Sequence, residues 1–133
     1  MTNKLYVKEI KGKGRGVFCK EIIYKDEAIE ICPLLVLPSN DFDALSSTQL
    51  IDYIFNFNTE EKTIALALGF GSLYNHHVYP NAAYILNRET NMMSLFALSD
   101  IPADKEISIN YKGVYGKDFK EWFDLRNIEY QEM

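Results

Sequence analysis

Gly69-Phe-Gly-Ser-Leu-Tyr-Asn-His-His-Val-Tyr-Pro-Asn81 is the stretch on which the reading of this chain turns, and Glu106-Ile-Ser-Ile-Asn-Tyr111 answers it later in the sequence. The first places Asn75 and His76 just ahead of a turn that ends in Pro80-Asn81. The second reads as a short strand finishing in a tyrosine. Outward from these, alternation of apolar and polar residues dominates. Leu5–Ile10 reads as a strand, Gly12, Gly14 and Gly16 interrupt it, and Val17–Ile22 resumes the pattern. A turn at Tyr24–Glu27 leads into a third strand, Ala28–Leu37, closed by Pro38. Ser39–Ser47 is polar enough for a loop. Ser46 or Ser47 is placed to cap a short helix through Tyr53, while Tyr53–Phe57 fits a strand equally well, and both readings stay open. The clearest local unit is a hairpin: Ala83–Leu86, a polar turn at Asn87–Asn91, then Met92–Leu98. Phe119, Trp122 and Phe123 stand at helical spacing in the tail. Many short strands with regular turns predict a mostly β fold.

A chain of 133 residues and 15.4 kDa predicts a single domain over 1–133, with no internal repeat and no linker. Hydrophobic residues at 47% and charged ones at 25% exclude a disordered chain. No apolar run approaches a membrane span, and the first residues lack the apolar core of a secretory signal. The expectation is an intracellular protein, cytoplasmic or nuclear, with no membrane partner. Cys19 and Cys32 form no CxxC pair, so they read as reduced, packed thiols. The net charge of −5 is unevenly spread. Seven of fourteen Lys and Arg fall within positions 1–25, whereas positions 26–61 hold eight acids and no base. That block is unsuited to phosphate backbones, which excludes direct nucleic-acid binding there. It suits a basic peptide, or is simply a solvated acidic face.

Three sets of residues have chemical potential. Gly12-Lys-Gly-Arg-Gly16 has neither the G-x-G-x-x-G spacing nor the Walker lysine, so it is either an ordinary hairpin turn or a place where backbone approaches a ligand. His76 and His77 suggest a metal, but no third histidine and no cysteine or carboxylate cluster completes a site, and none is expected. Asn75 and His76 read as polar residues that stitch a loop by hydrogen bonds. Tyr111 reads as a strand-end tyrosine whose hydroxyl needs a partner.

Taken together and in this order, Gly14-Arg-Gly-Val-Phe18, Asn75-His76 with Pro80-Asn81, and Glu106–Tyr111 resemble the motifs of the SET-domain protein-lysine methyltransferases. The similarity to short stand-alone viral and bacterial SET proteins runs over nearly the whole chain. The resemblance implies a SET fold of short curved sheets, with the C-terminal strand and tail passing through a loop around Asn75–Asn81 as a pseudoknot. It implies S-adenosylmethionine as cofactor, held by Gly14, the Arg15 backbone, Gly16, Tyr74, Asn75 and His76, with Trp122 of the tail as a wall. It implies Tyr111 as the catalytic residue and Tyr53, Tyr84 and Tyr115 as the lysine channel, with Tyr84 favouring low methylation states. Where most members carry serine, this chain has His77. The zinc-bound cysteine cluster that closes larger members is absent, since no cysteine follows Cys32.

The function implied is S-adenosylmethionine-dependent transfer of methyl groups to a lysine in a basic protein or peptide, with a histone tail as one candidate. The alternative from another class is a catalytically silent SET-like interaction module. A degenerate domain of that kind would be expected to have lost one of Asn75, His76 or Tyr111. Small members of the family are also open to pairing as homodimers, for which the Ile and Phe residues of 50–57 are candidates, although they fit a core equally well. A tyrosine suits methyl transfer because the in-line displacement needs alignment and a neutral amine rather than a strong base. Burial beside a positive sulfonium lowers the lysine pKa from about 10.4. No Asp or Glu base is therefore nominated.

Overall fold

The computed structural model describes residues 4–12, 14–58 and 60–111. Among the described residues nine strands carry the fold: β1 (Leu5–Ile10), β2 (Gly14–Cys19), β3 (Ala28–Pro38), β4 (Ile54–Asn58), β5 (Thr63–Ala67), β6 (Asn75–His76), β7 (Ala82–Asn87), β8 (Met92–Ala97) and β9 (Glu106–Ile109). The helices are slight: a four-residue α1 (Phe42–Leu45) and 3-10 turns at Ser39–Asp41 and Gln49–Tyr53. The fold is mostly β, as the alternation predicts. Two sheets form, one ordered β1-β2-β9-β6 and the other β4-β5-β3-β8-β7.

The long strand β3 organises the second sheet. Its first half, Ala28–Pro33, pairs antiparallel with β8, and its second half, Leu34–Pro38, with β5. A register shift between Ala28 and Glu30 sets the phase of the strand. From that point Glu30, Cys32 and Leu34 turn inward, while Ile31, Pro33 and Leu35 face out. Apolar residues on both phases hid this choice from the sequence. The core between the sheets is built from Val17, Ile29, Leu95, Ile107 and their neighbours, with Tyr74 among its largest fully buried side chains. Both cysteines are buried and free, as expected.

Several expectations shift. The second strand begins at Gly14, inside the glycine run, and stops at Cys19 rather than Ile22, because Ile23 instead bridges Ile101. The Ser39–Ser47 loop contains α1, and the two open readings of 46–57 are both partly right. A 3-10 turn ends at Tyr53, preceded by Thr48 without a side-chain cap, and β4 follows at once. Phe57 is buried and Phe55 and Ile54 are half-buried, so that segment contributes to the core. The tyrosine strand ends at Ile109, with Tyr111 two residues beyond. Two strands had no sequence reading: β5, whose Thr-Ile-Ala-Leu-Ala is short and alanine-rich, and the two-residue β6.

β6 decides how the site is held. It runs parallel to β9, with Asn75 opposite Ser108 and His76 opposite Ile109. β9 is thus gripped by β2 on one side and by the 75–81 segment on the other. The passage of the tail through this loop, and Tyr115, Phe119, Trp122 and Phe123, lie outside the described residues. No helix among the described residues is long and apolar enough to cross a membrane.

Candidate active site

A cavity of about 620 Å³ opens between the two sheets. The first sheet and the turn of its hairpin contribute Glu9, Gly14, Arg15, Asn75 and Ile109. The second, with the segments leading to it, contributes Tyr53, Phe55, Ala67, Tyr84 and Met93, and Tyr111 reaches in from the end of β9.

Tyr111 is fixed at three points. Its hydroxyl donates to the Tyr74 carbonyl at 2.8 Å, and its backbone N–H donates to His76 Nδ1 at 3.0 Å. The Tyr84 hydroxyl donates to the Tyr111 carbonyl at 3.1 Å. The rings of His76 and Tyr111 lie 5.1 Å apart, tilted. Burial raises the Tyr111 phenol pKa above its ordinary value, a hydrogen bond from the His76 backbone opposes this, and the Glu106 charge adds to the rise. The phenol is therefore neutral throughout the physiological range. With its proton committed to the Tyr74 carbonyl, its oxygen has acceptor lone pairs to offer elsewhere.

Asn75 is oriented from two sides. Its Nδ2 donates to Glu106 Oε2 at 2.7 Å and to the Arg15 carbonyl at 3.1 Å. This ties β6 to β9 and to the glycine turn at once, and it fixes which end of the amide is the oxygen. Gly16 makes the arrangement sterically possible. A Cβ there would stand 2.6 Å from Glu106 Oε2 and 3.0 Å from Asn75 Nδ2. Gly14 has φ +83° and open space where a side chain would be, a conformation glycine alone adopts freely.

Asn81 secures the strand that leads to Tyr111. Its Oδ1 accepts the Ser108 N–H at 2.9 Å, and its Nδ2 donates to the Glu106 carbonyl at 2.9 Å. One amide side chain thus replaces a missing strand partner.

The structure brings most of the nominated residues together. Gly14, Arg15, Tyr53, Tyr74, Asn75, Tyr84 and Tyr111 all line the cavity. Gly16 lies just behind, on Asn75. His76 is exposed and acts on the Tyr111 backbone rather than on the cavity. Tyr74 buries its phenol in the core, where it bonds Glu30, so its carbonyl is the polar group aimed at Tyr111. Tyr115 and Trp122 lie outside the described residues. Among the described residues no cluster of His, Cys, Asp and Glu could hold a metal. Of the acidic block, Asp52 faces the cavity, Glu30 is buried, and Glu27 is half-buried and pairs with Lys4 at 3.3 Å, while the others are exposed.

Three residues have roles that the sequence does not announce. Asn81, in sequence the end of the turn that completes the SET-like match, is a strand clip. Glu106, in sequence the first residue of the answering strand, orients Asn75, and Glu30, in sequence one of the acidic block, is buried. For Glu30 the signal was its alternation with Cys32 and Leu34, which puts an acid in phase with apolar neighbours.

Comparison with known proteins identifies the family. Residues 14–112 match the SET domain family. The chain is 32% identical over 112 residues to a Schizosaccharomyces pombe histone-lysine N-methyltransferase specific for H3 lysine-37, covering 84% of this chain and 75% of that protein. Among solved structures it resembles a Plasmodium falciparum candidate histone methyltransferase, at 32% identity and a TM-score of 0.71, over 88% of this chain and all of the other. The Neurospora SET domain protein DIM-5, a histone lysine methyltransferase, shares the fold at 18% identity and a TM-score of 0.62, over 85% of this chain and 54% of its own. The family match over residues 14–112 and the relatives at 32% identity lead to one assignment: the chain belongs to the SET-domain family of protein-lysine methyltransferases.

Proposed function

We propose that this chain is an S-adenosylmethionine-dependent protein-lysine N-methyltransferase acting on a lysine in a basic peptide segment, with a histone tail as the leading substrate. The observation that carries the proposal is the placement of Tyr111, pinned by Tyr74, His76 and Tyr84 at the wall of a cavity that Asn75, Gly14 and Arg15 also line.

The residues present fit the cofactor. The cavity falls in the size range of small-molecule sites, roughly 300–1,000 Å³. Its charged lining is Glu9, Asp52 and Arg15, alongside the phenols of Tyr53, Tyr84 and Tyr111. A lining rich in oxygen acceptors suits a ligand that carries a sulfonium and an ammonium. Gly14, Arg15 and Asn75 would hold it, chiefly through backbone and the Asn75 amide. When bound, it supplies an electrophilic methyl group.

The chain's own residues then have distinct tasks. The Tyr111 oxygen, its O–H donated to the Tyr74 carbonyl, accepts from the incoming amine and orients it without adding a charge. Tyr53 stands at the rim, 43% exposed, where an aromatic face can guide an alkylammonium by cation–π contact. Burial among these rings favours the neutral amine over an ammonium whose free pKa is about 10.4. Tyr84 is buried with its hydroxyl anchored on Tyr111, which fixes the volume beside the amine and favours low methylation states. The acids of 26–61, with Asp52 at the cavity, attract a basic segment before it docks.

Calorimetric titration with S-adenosylmethionine, followed by mass spectrometry of histone and other basic peptides, tests the reading. Saturable binding weakened by Asn75→Ala, with a methylated lysine in the product, is expected. A folded protein that neither binds the cofactor nor modifies any basic peptide would favour the silent interaction module.

A further inference from the structure

Glu30 is a buried carboxylate that the chemistry above does not use. It is 8% exposed and sits on the inward phase of β3. Among the described residues the salt bridge is Lys4–Glu27, and Glu30 has none. Its partners are neutral donors. The Phe70 N–H donates to Oε2 at 3.0 Å and the Tyr74 hydroxyl donates to Oε1 at 2.7 Å. Removing a carboxylate from water without a counter-ion is costly, so the bonds it makes must fix something in return.

What they fix is the segment running into the site. The two oxygens of one side chain hold Phe70 and Tyr74, the two ends of a tight turn. The Leu73 N–H donates to the Phe70 carbonyl within it, and the Gly71 N–H donates back to the Leu68 carbonyl just before it. The turn is fitted to the carboxylate: Gly69 adopts φ +62°, and a Cβ there would lie 2.6 Å from Glu30 Oε2. Gly71 is as confined, since its Cβ would lie 3.0 Å from Cys32 Sγ and 2.7 Å from Ala67 Cβ. The residue at the end of this turn, Tyr74, gives its phenol to Glu30 and its carbonyl to the Tyr111 hydroxyl.

We propose that Glu30 is a positioning residue for the methyl-transfer step, acting through Tyr74 to hold the carbonyl that orients the Tyr111 hydroxyl. This rests on the methyltransferase reading. Asn75 follows Tyr74 directly but has its own anchors, on Glu106, Arg15 and Ser108. The effect of Glu30 is therefore on the orientation of Tyr111 and not on cofactor affinity.

Glu30→Gln keeps the shape but leaves one acceptor oxygen, so Phe70 and Tyr74 can no longer both donate into it. The expected result is a kcat lower by about tenfold, the rate equivalent of one charge-assisted hydrogen bond. The calorimetric Kd for S-adenosylmethionine should stay within about twofold. In a Tyr111→Phe background, whose residual turnover is followed by mass spectrometry, Glu30→Gln should cost nothing further. An equal fold loss in both backgrounds, or a matching loss of cofactor affinity, would reduce Glu30 to a general stabiliser and overturn the inference. If Glu30→Gln does not fold, Tyr74→Phe, which removes only the hydroxyl, takes the same comparison. A wild type without turnover would sink the methyltransferase reading, whereas a fully active Glu30→Gln beside an active wild type would sink this inference alone.

Discussion

The hydroxyl of Tyr111 donates to the backbone carbonyl of Tyr74 at 2.8 Å, so the orientation of the proposed catalytic phenol is set by a main-chain atom and not by another titratable side chain. Main-chain carbonyls do not change protonation state with pH. The phenol, neutral below its ordinary pKa of about 10 and pushed further up by partial burial, therefore presents the same acceptor geometry across a wide range.

The pH profile of turnover should reflect that constancy. The kcat/KM for a lysine peptide is expected to rise as the amine loses its proton, with no descending limb from Tyr111 below its ordinary pKa of about 10. A bell-shaped profile falling already in the neutral range would show that a titrating side chain takes the role given to the phenol.

Gly16→Ala should strike cofactor binding. The added methyl would press on Glu106 and on Asn75 Nδ2, displacing the amide that both Glu106 and Arg15 orient. Overpacking of this kind costs about 1–3 kcal/mol. A tenfold or larger rise in the Kd for S-adenosylmethionine, about 1.4 kcal/mol, is expected by calorimetry. Unchanged affinity would mean that the Asn75 amide does not touch the ligand.

Asn81→Ala should lower stability. It removes the acceptor of the Ser108 N–H and the donor to the Glu106 carbonyl, leaving part-buried backbone groups of β9 without these bonds. A loss of about 2 kcal/mol is expected in denaturant unfolding. Wild-type stability would show that β2 pairing alone holds β9.

Alkaline melts should report on Tyr74. Burial first, and then the Glu30 charge, pushes its phenol pKa far up. Below about pH 9 both folded and unfolded chains keep the proton. Above about 10 the unfolded chain releases it and the folded one does not, so stability falls as pH rises. Tyr74→Phe should show a shallower decline between pH 9 and 11 than the wild type, roughly one proton less. Identical slopes would place the Tyr74 phenol in water.

Much of this was legible beforehand, and the gaps have physical causes. The β1 strand, the β7–β8 hairpin and the glycine turn showed themselves through strict alternation and turn residues, which are local signals. Asn75, Tyr84 and Tyr111 came from motif resemblance. β6 could not be read, because a two-residue strand exists only through its parallel partner β9. Glu30 alternates with Cys32 and Leu34, but apolar Ile31, Pro33 and Leu35 occupy the opposite face of β3, so this signal had an equal rival until the shift near Ala28 fixed the phase. Asn81 was hidden because its worth lies in tertiary bonds to β9.

The most direct measurement is mass spectrometry of a histone H3 peptide pool incubated with S-adenosylmethionine and either wild type or Tyr111→Phe. The expected outcome is one or two methyl groups on a lysine with the wild type. Tyr111→Phe should be about a hundredfold slower with cofactor affinity unchanged. Unmodified peptides with a folded, cofactor-binding wild type, or equal rates for the two proteins, would contradict it.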